Sequence, residues 1–222
     1  VVMGARDAVV VRVNASAHAV AYISPLQGNL YLAETIGPFA PRCTSLAFDP
    51  HAKVLFYTAD NAAFRDLMRL DPKTGRQRLL FRDLRVGDLA FDRADASLWG
   101  IRTFNGICTL VRIPAPYSDW KQVYSWPYGE VVYDLDVSPD GSQIVFALGE
   151  INGTQTLRLV PTAALLRGDT TPTRTFELGT AVPSNFRFSP DGRYLYGSSY
   201  YTGVSNIFRF DVATGAMEAL TN

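Results

Sequence analysis

Cysteine, histidine and lysine are all scarce here: the 222 residues include two Cys, two His and three Lys, and the other 18 of the 21 basic residues are Arg. Two cysteines cannot build the disulfide framework on which small secreted domains rely, and a chain of this length can bury a core without one. His18 and His51 stand 33 positions apart, whereas a zinc site of the HExxH kind needs two His one helical turn apart. Lys53, Lys73 and Lys121 are scattered, no block of five like charges occurs, and bases and acids balance at 21 each. That pattern leaves no footprint for nucleic acid or for a polybasic membrane contact. Long apolar runs are missing as well: none approaches the roughly 18 residues of a membrane span, and VVMGARDAVV lacks the core of a signal peptide. Nucleophile elbows (GxSxG), Walker loops and GxGxxG turns are absent, and neither Cys lies near a His. The chain opens on Val1 in what reads as folded sequence, so we expect a piece of something longer.

What the sequence does contain is a repeat. Ser-Pro-Asp-Gly occurs at Ser138 to Gly141 and again at Ser189 to Gly192, each time after an apolar residue, Val137 or Phe188. With those two residues as anchors, Val13, Phe48 and Phe91 open matching segments without gaps, and the five anchors lie 35, 43, 46 and 51 residues apart. Seven residues after each anchor stands Val20, Leu55, Leu98, Ile144 or Leu195, and 21 after it, in four copies, stands Arg69, Arg112, Arg158 or Arg209. The first copy is two residues short, with its NLYLAE coming early.

Each copy reads as four short runs rich in Val, Ile, Leu, Phe and Tyr, separated by Gly, Pro, Asp and Ser. Pro fixes φ and Gly supplies positive φ where a chain reverses, so these are strands joined by tight turns. NAAFRDLMRLD also fits an amphipathic helix, but the aligned TLVRI and NIFRF are β-branched and aromatic and decide for strand. A helical turn is expected at Thr162 to Leu166, in an Ala- and Leu-rich insertion. Four strands in each unit of about 40 to 50 residues predict an all-β fold, a β-propeller of about five four-stranded blades. The blades fall near 8–40, 44–82, 86–126, 131–179 and 184–222, within a single domain spanning 1–222. Five repeats make either a closed propeller or an open segment of a larger one; termini near blade boundaries, with no obvious closing strand, argue for the segment.

FSPDGRYLYGSS followed by SNIFRFDVATGAMEALTN resembles the TolB-type (WD-like) propeller repeat of bacterial proteins, and DVSPDGSQIVFAL is similar. The likeness is best over the last third of the chain. Proteins with this repeat include a periplasmic partner of the lipoprotein Pal and the propeller halves of prolyl-oligopeptidase-like enzymes. They also include large envelope proteins in which a propeller follows a metallopeptidase-like domain, and GSSYYTGVSNIFRFD is most similar to these. The resemblance implies an accessory propeller in the periplasm or cell envelope, binding a protein, a peptide or another domain of its own parent chain. It carries over no catalytic residue, because those families keep their catalytic groups outside the propeller.

The candidate binding residues form a column three positions before the anchor, on the innermost strand: Ser45, Asp88, Asp134 and Asn185, with Val10 breaking the set. Facing the axis, they would form a polar ring able to attract a hard cation such as Ca²⁺ or a basic peptide terminus. The plainer reading is a wet channel of ordered water and backbone hydrogen bonds. No other cofactor and no metal ligand set is expected. Asp140 and Asp191 are expected to cap their own turns, and the repeated Arg to lie on a solvated or inter-strand-paired face. In IPAPYSDWKQVYSWPYGE, Trp120 and Trp126 suit packing between blades, while Tyr117 and Tyr128 are candidate rim contacts. Cys43 and Cys108 fall on adjacent blades, too far apart to bridge, and are expected as free, mostly buried thiols. A non-catalytic binding or scaffolding module follows from these readings. Its rivals are a substrate-gating propeller attached to a peptidase domain outside this chain, and a propeller enzyme using Asp88 and Asp134.

Overall fold

The computed structural model describes residues 8–12, 18–23, 30–36, 42–60 and 64–221, with side chains over 45–59 and 64–221. Five antiparallel sheets follow one another in chain order. The first has three strands, β1 (Ala8–Arg12), β2 (His18–Ile23) and β3 (Leu30–Ile36). The next holds β4 (Arg42–Asp49), β5 (Val54–Asp60), β6 (Arg65–Leu70) and β7 (Gln77–Phe81). The third holds β8 (Val86–Phe91), β9 (Leu98–Phe104), β10 (Ile107–Ile113) and β11 (Lys121–Ser125). The fourth holds β12 (Val131–Val137), β13 (Gln143–Gly149), β14 (Gln155–Pro161) and β15 (Arg174–Glu177). The last holds β16 (Pro183–Phe188), β17 (Tyr194–Ser199), β18 (Asn206–Asp211) and β19 (Met217–Ala219).

This is an all-β propeller with four four-stranded blades, one fewer than the five expected. The first repeat supplies three strands among the described residues, and it is also the shortest, 35 residues from anchor to anchor. The segment that fits a helix or a strand by local pattern is the strand β6, and the expected helical turn is α1 (Thr162–Leu165). The chain divides into two compact units, 1–89 and 90–222, with the division inside β8.

In the second unit, β13 shows why the sequence does not alternate cleanly between apolar and polar. Ile144, Phe146 and Leu148 join a buried cluster with Trp99, Leu110 and Trp126 of the third blade. The intervening Val145 and Ala147 join another with Phe186, Phe208 and Phe210 of the fifth. A sheet covered on both faces needs apolar residues at both phases of its two-residue period. Aromatic rings fill the wedge: Trp126 meets Phe146 edge-on at 5.2 Å, and Phe186 meets Phe210 at 5.3 Å. In the first unit, Phe48, Leu55, Tyr57 and Leu70 make a smaller core.

The Ser-Pro-Asp-Gly turns are built by their own side chains. Ser138 Oγ donates to Asp140 Oδ1 at 2.6 Å and accepts the Gln143 N–H at 2.9 Å, while Gly141 takes φ +72°. Ser189, Asp191, Gly192 and Tyr194 repeat the arrangement one blade later. The Ser138 hydroxyl and the Ser142 N–H hold the Asp140 carboxyl below its ordinary range. These turns fix the register in which β12 pairs with β13 and β16 with β17.

The packing of the last blade leaves no room at Gly197. A Cβ there would lie 2.4 to 2.6 Å from the Phe186 ring, and Phe186 is fully buried. Gly197→Ala is therefore expected to destabilise the chain by about 2 kcal/mol or more, read by urea unfolding. An unchanged midpoint would contradict this packing.

Candidate functional site

Each innermost strand is the inner edge of its sheet, so one row of its N–H groups finds no partner within the blade. The column read from the sequence lies beside that row. Pairing between first and second strands slips between Cys43 and Leu46, between Tyr133 and Asp136, and between Ser184 and Arg187, a bulge that brackets the column residue in each of these blades. Three column residues have left-handed backbones: Asp88 at φ +47°, Asp134 at +56° and Asn185 at +57°. Asp and Asn tolerate this conformation better than other side chains except Gly. A bulge re-aims its side chain out of the ordinary pleat.

The re-aimed oxygens meet the next blade. Asp134 Oδ2 accepts the Phe186 N–H at 2.8 Å, and its Oδ1 accepts from Arg187 Nη1 at 2.9 Å. In the first unit Ser45 Oγ accepts the Leu89 N–H at 2.6 Å. Both bonds run from three positions before one anchor to two positions before the next, so a hydroxyl and a carboxylate serve the same repeat role. Asp134 is buried, Ser45 and Asp88 are half-buried, and Asn185 is exposed. Ser45 and Asp88 belong to the first unit, Asp134 and Asn185 to the second.

Sequence reasoning missed Asp136 and Arg187. Asp136 Oδ2 accepts the Phe188 N–H at 2.9 Å, a second staple two residues along the same strand. Burial pushes its carboxyl up to about 6, opposed by the nearby Arg187 charge and assisted by that of Asp134. The available signal was Asp-Leu-Asp inside the apolar run VVYDLDV, which puts two acids on one side of a strand.

The rim candidates separate. Tyr117 is half-buried, and its hydroxyl donates to the Ala96 carbonyl at 2.9 Å. Tyr128 is 75% exposed and lies in the connection from β11 to β12, at the other end of the blade. Trp126 is buried between blades, while Trp120 is half-buried with the Arg102 guanidinium 5.7 Å from its ring. Of the repeated arginines, Arg112 pairs with Asp95, Arg158 with Glu150 at 3.0 Å and Arg209 with Glu218. Cys108 is a buried free thiol; the side chains of Val10, His18 and Cys43 lie outside those described. His51 is an exposed turn residue whose N–H donates to Asp49 Oδ1 at 2.8 Å. Among the described residues no three of His, Cys, Asp and Glu are grouped to hold a metal ion, and no helix is long and apolar enough to cross a membrane.

Compared by sequence, the chain matches no protein-family model and no curated protein. Compared by structure, it has the fold of TolB-type propellers. TolB from Acinetobacter baumannii superposes with a TM-score of 0.68 at 16% identity, over 96% of this chain and 52% of that one. A putative TolB from Agrobacterium tumefaciens gives 0.67 at 15% identity, over 97% of this chain and 80% of that one. A puromycin hydrolase gives 0.58 at 18% identity, over 98% of this chain and 40% of that one. The chain thus spans about half the length of the first TolB and less than half of the hydrolase.

Two substitutions test the staples. Asp134→Ala strands the buried Phe186 N–H and removes the carboxylate paired with Arg187, and is expected to cost about 2–4 kcal/mol; Asp134→Asn, which keeps an acceptor, should cost less. Equal losses in urea unfolding would refute the assignment. Because Asp136 has a folded-state pKa of about 6 against an ordinary 3.8, the folded chain binds the extra proton between those values. Stability should therefore rise as pH falls through about 6 toward 4. Asp136→Asn, neutral at every pH and still an acceptor, should be more stable than the parent by about 1–3 kcal/mol near pH 7.5. The advantage should vanish near pH 4; one that does not change with pH would rule out a buried, strained carboxylate.

Proposed function

We propose that this chain is a non-catalytic β-propeller serving as a protein-binding or scaffolding module of a larger bacterial envelope protein. The observation that carries this reading is the use made of the inner-strand polar groups. Asp134 and Asp136 accept backbone N–H bonds from the following blade, and Asp134 is ion-paired to Arg187. A general acid or nucleophile needs a reacting atom within hydrogen-bond reach, and these carboxylates are held by the fold itself. The TolB likeness supports an envelope location and a protein or peptide partner, possession of which is proposed here from fold analogy.

The likeness to puromycin hydrolase, across 98% of this chain, favours a second reading: a substrate-gating propeller whose peptidase domain lies outside these residues. Both readings place the chemistry elsewhere. Calcium at Asp134 would have to compete with the Arg187 guanidinium. Thermal melts in millimolar calcium are therefore expected to show no rise in midpoint, and a rise that Asp134→Asn abolishes would locate a cation there.

The function is tested with the 222-residue chain and with its natural source. A panel of ester, lactone, glycoside and peptide substrates should give no turnover above buffer. Turnover abolished by Asp88→Asn with Asp134→Asn would replace the binding module by a propeller enzyme. An antibody against the chain should mark a band in the envelope fraction of the source cells; a band confined to the cytosol would overturn the envelope assignment.

A further inference from the structure

The two ends of the second unit differ in chemistry. The pairings Val131↔Gly149, Gly149↔Gln155 and Thr156↔Glu177 put the β13–β14 turn and the connections between blades at one end. The Ser-Pro-Asp-Gly turns and α1 lie at the other. In the turns of that other end Leu166 is the one exposed large apolar side chain among the described residues, and those turns also carry Asp140, Asp191, Arg167 and Arg193.

At the β13–β14 end the turns expose Tyr128 (75%), Ile151 (79%), Val182, Tyr200, Tyr201 and Val204. The first two share one surface with Phe104. Tyr128 lies over Gly106, so close that a Cβ on the glycine would be 2.6 Å from the ring, and Ile151 lies as closely over Gly129, at 2.7 Å. Packing against backbone holds both side chains in place before anything binds, which lowers the entropic cost of association. Exposed aromatic and aliphatic side chains grouped in this way mark an interaction surface.

Charge selects the kind of partner. The stretches 104–107, 126–131, 150–154, 177–183 and 199–207 contain Glu130, Glu150 and Glu177 and no Lys or Arg. Glu150 is paired with Arg158, and the adjacent Arg102 lies 4.8 Å over the Phe104 ring. Glu130 is half-buried and Glu177 exposed, and neither is in an ion pair among the described residues. Anionic lipid would meet like charge here, whereas a basic protein segment meets its complement.

We propose that this end of blades three to five docks a protein segment whose aromatic or aliphatic side chains are flanked by Lys or Arg. The proposal deepens the binding-module reading and rests on it. Phage-displayed random dodecapeptides are panned against the 222-residue chain, and enriched peptides are synthesised and measured by fluorescence polarisation. The expected peptides combine apolar residues with Lys or Arg, bind Tyr128→Ser with Ile151→Ser at least about tenfold more weakly, and lose affinity as salt rises. The exposure of both positions should leave the variant's unfolding midpoint unchanged. No enrichment, acidic peptides, or equal binding to parent and variant would overturn the proposal. So would sedimentation with phosphatidylglycerol vesicles that the double substitution abolishes, since the face would then be a lipid contact. If peptides enrich but bind at another place, this face fails while the binding module survives; if none enrich, both lose support.

Discussion

The unsatisfied N–H groups along the inner edge of each sheet are the constraint on which the second unit depends. A propeller buries those edges beside one another, where an unpartnered donor costs about 1–3 kcal/mol. The solution is local: at Ser45 and Asp134 the residue three positions before the anchor sends its side-chain oxygen to the neighbouring strand, and Asp134 does so from a left-handed backbone. Asp134 does so for Phe186 and Asp136 adds a second bond to Phe188, while Ser45 does the same for Leu89 in the first unit. Once those bonds form, Phe186 and Phe188 are held against the aromatic layer that fills the wedge between blades.

This arrangement uses the inner-strand acids within the fold. Asp134 and Asp136 accept backbone donors of the next blade, and most of the recurring arginines are paired with carboxylates on their own blades. In the proposed binding module, ligand recognition falls to the turns at the ends of the stapled sheets. The two sets of turns have diverged in composition: one is polar and closed on itself by Ser–Asp bonds, the other is aromatic, aliphatic and acidic. Likeness to both TolB and a hydrolase shows one fold shared by proteins of different name.

Much of the fold was legible because a repeat writes the same physical requirement several times. A single Asp at position 134 says little, but Ser45, Asp88, Asp134 and Asn185 at one offset mark a column, and the structure gives the column a cause. Asp136 escaped notice for the opposite reason: the corresponding positions are Ala47, Ala90 and Arg187, so no recurrence points to it. Tyr117 and Tyr128 read alike in sequence, and the hydroxyl bond of Tyr117 to Ala96 separates them.

The sequence by itself determined the strands, their turns and their grouping into blades, because Gly, Pro, Asp and the two-residue apolar period act over a few neighbouring residues. The side chain at the bulge was also determined locally, since few residue types accept a left-handed backbone. Only the tertiary structure decided which oxygen meets which N–H, why Asp136 holds its proton more tightly, and that the exposed aromatic residues gather at one end. Those outcomes depend on groups more than 50 residues apart in the chain, such as Asp134 and Phe186, whose distance is set by how blades pack and not by any local pattern.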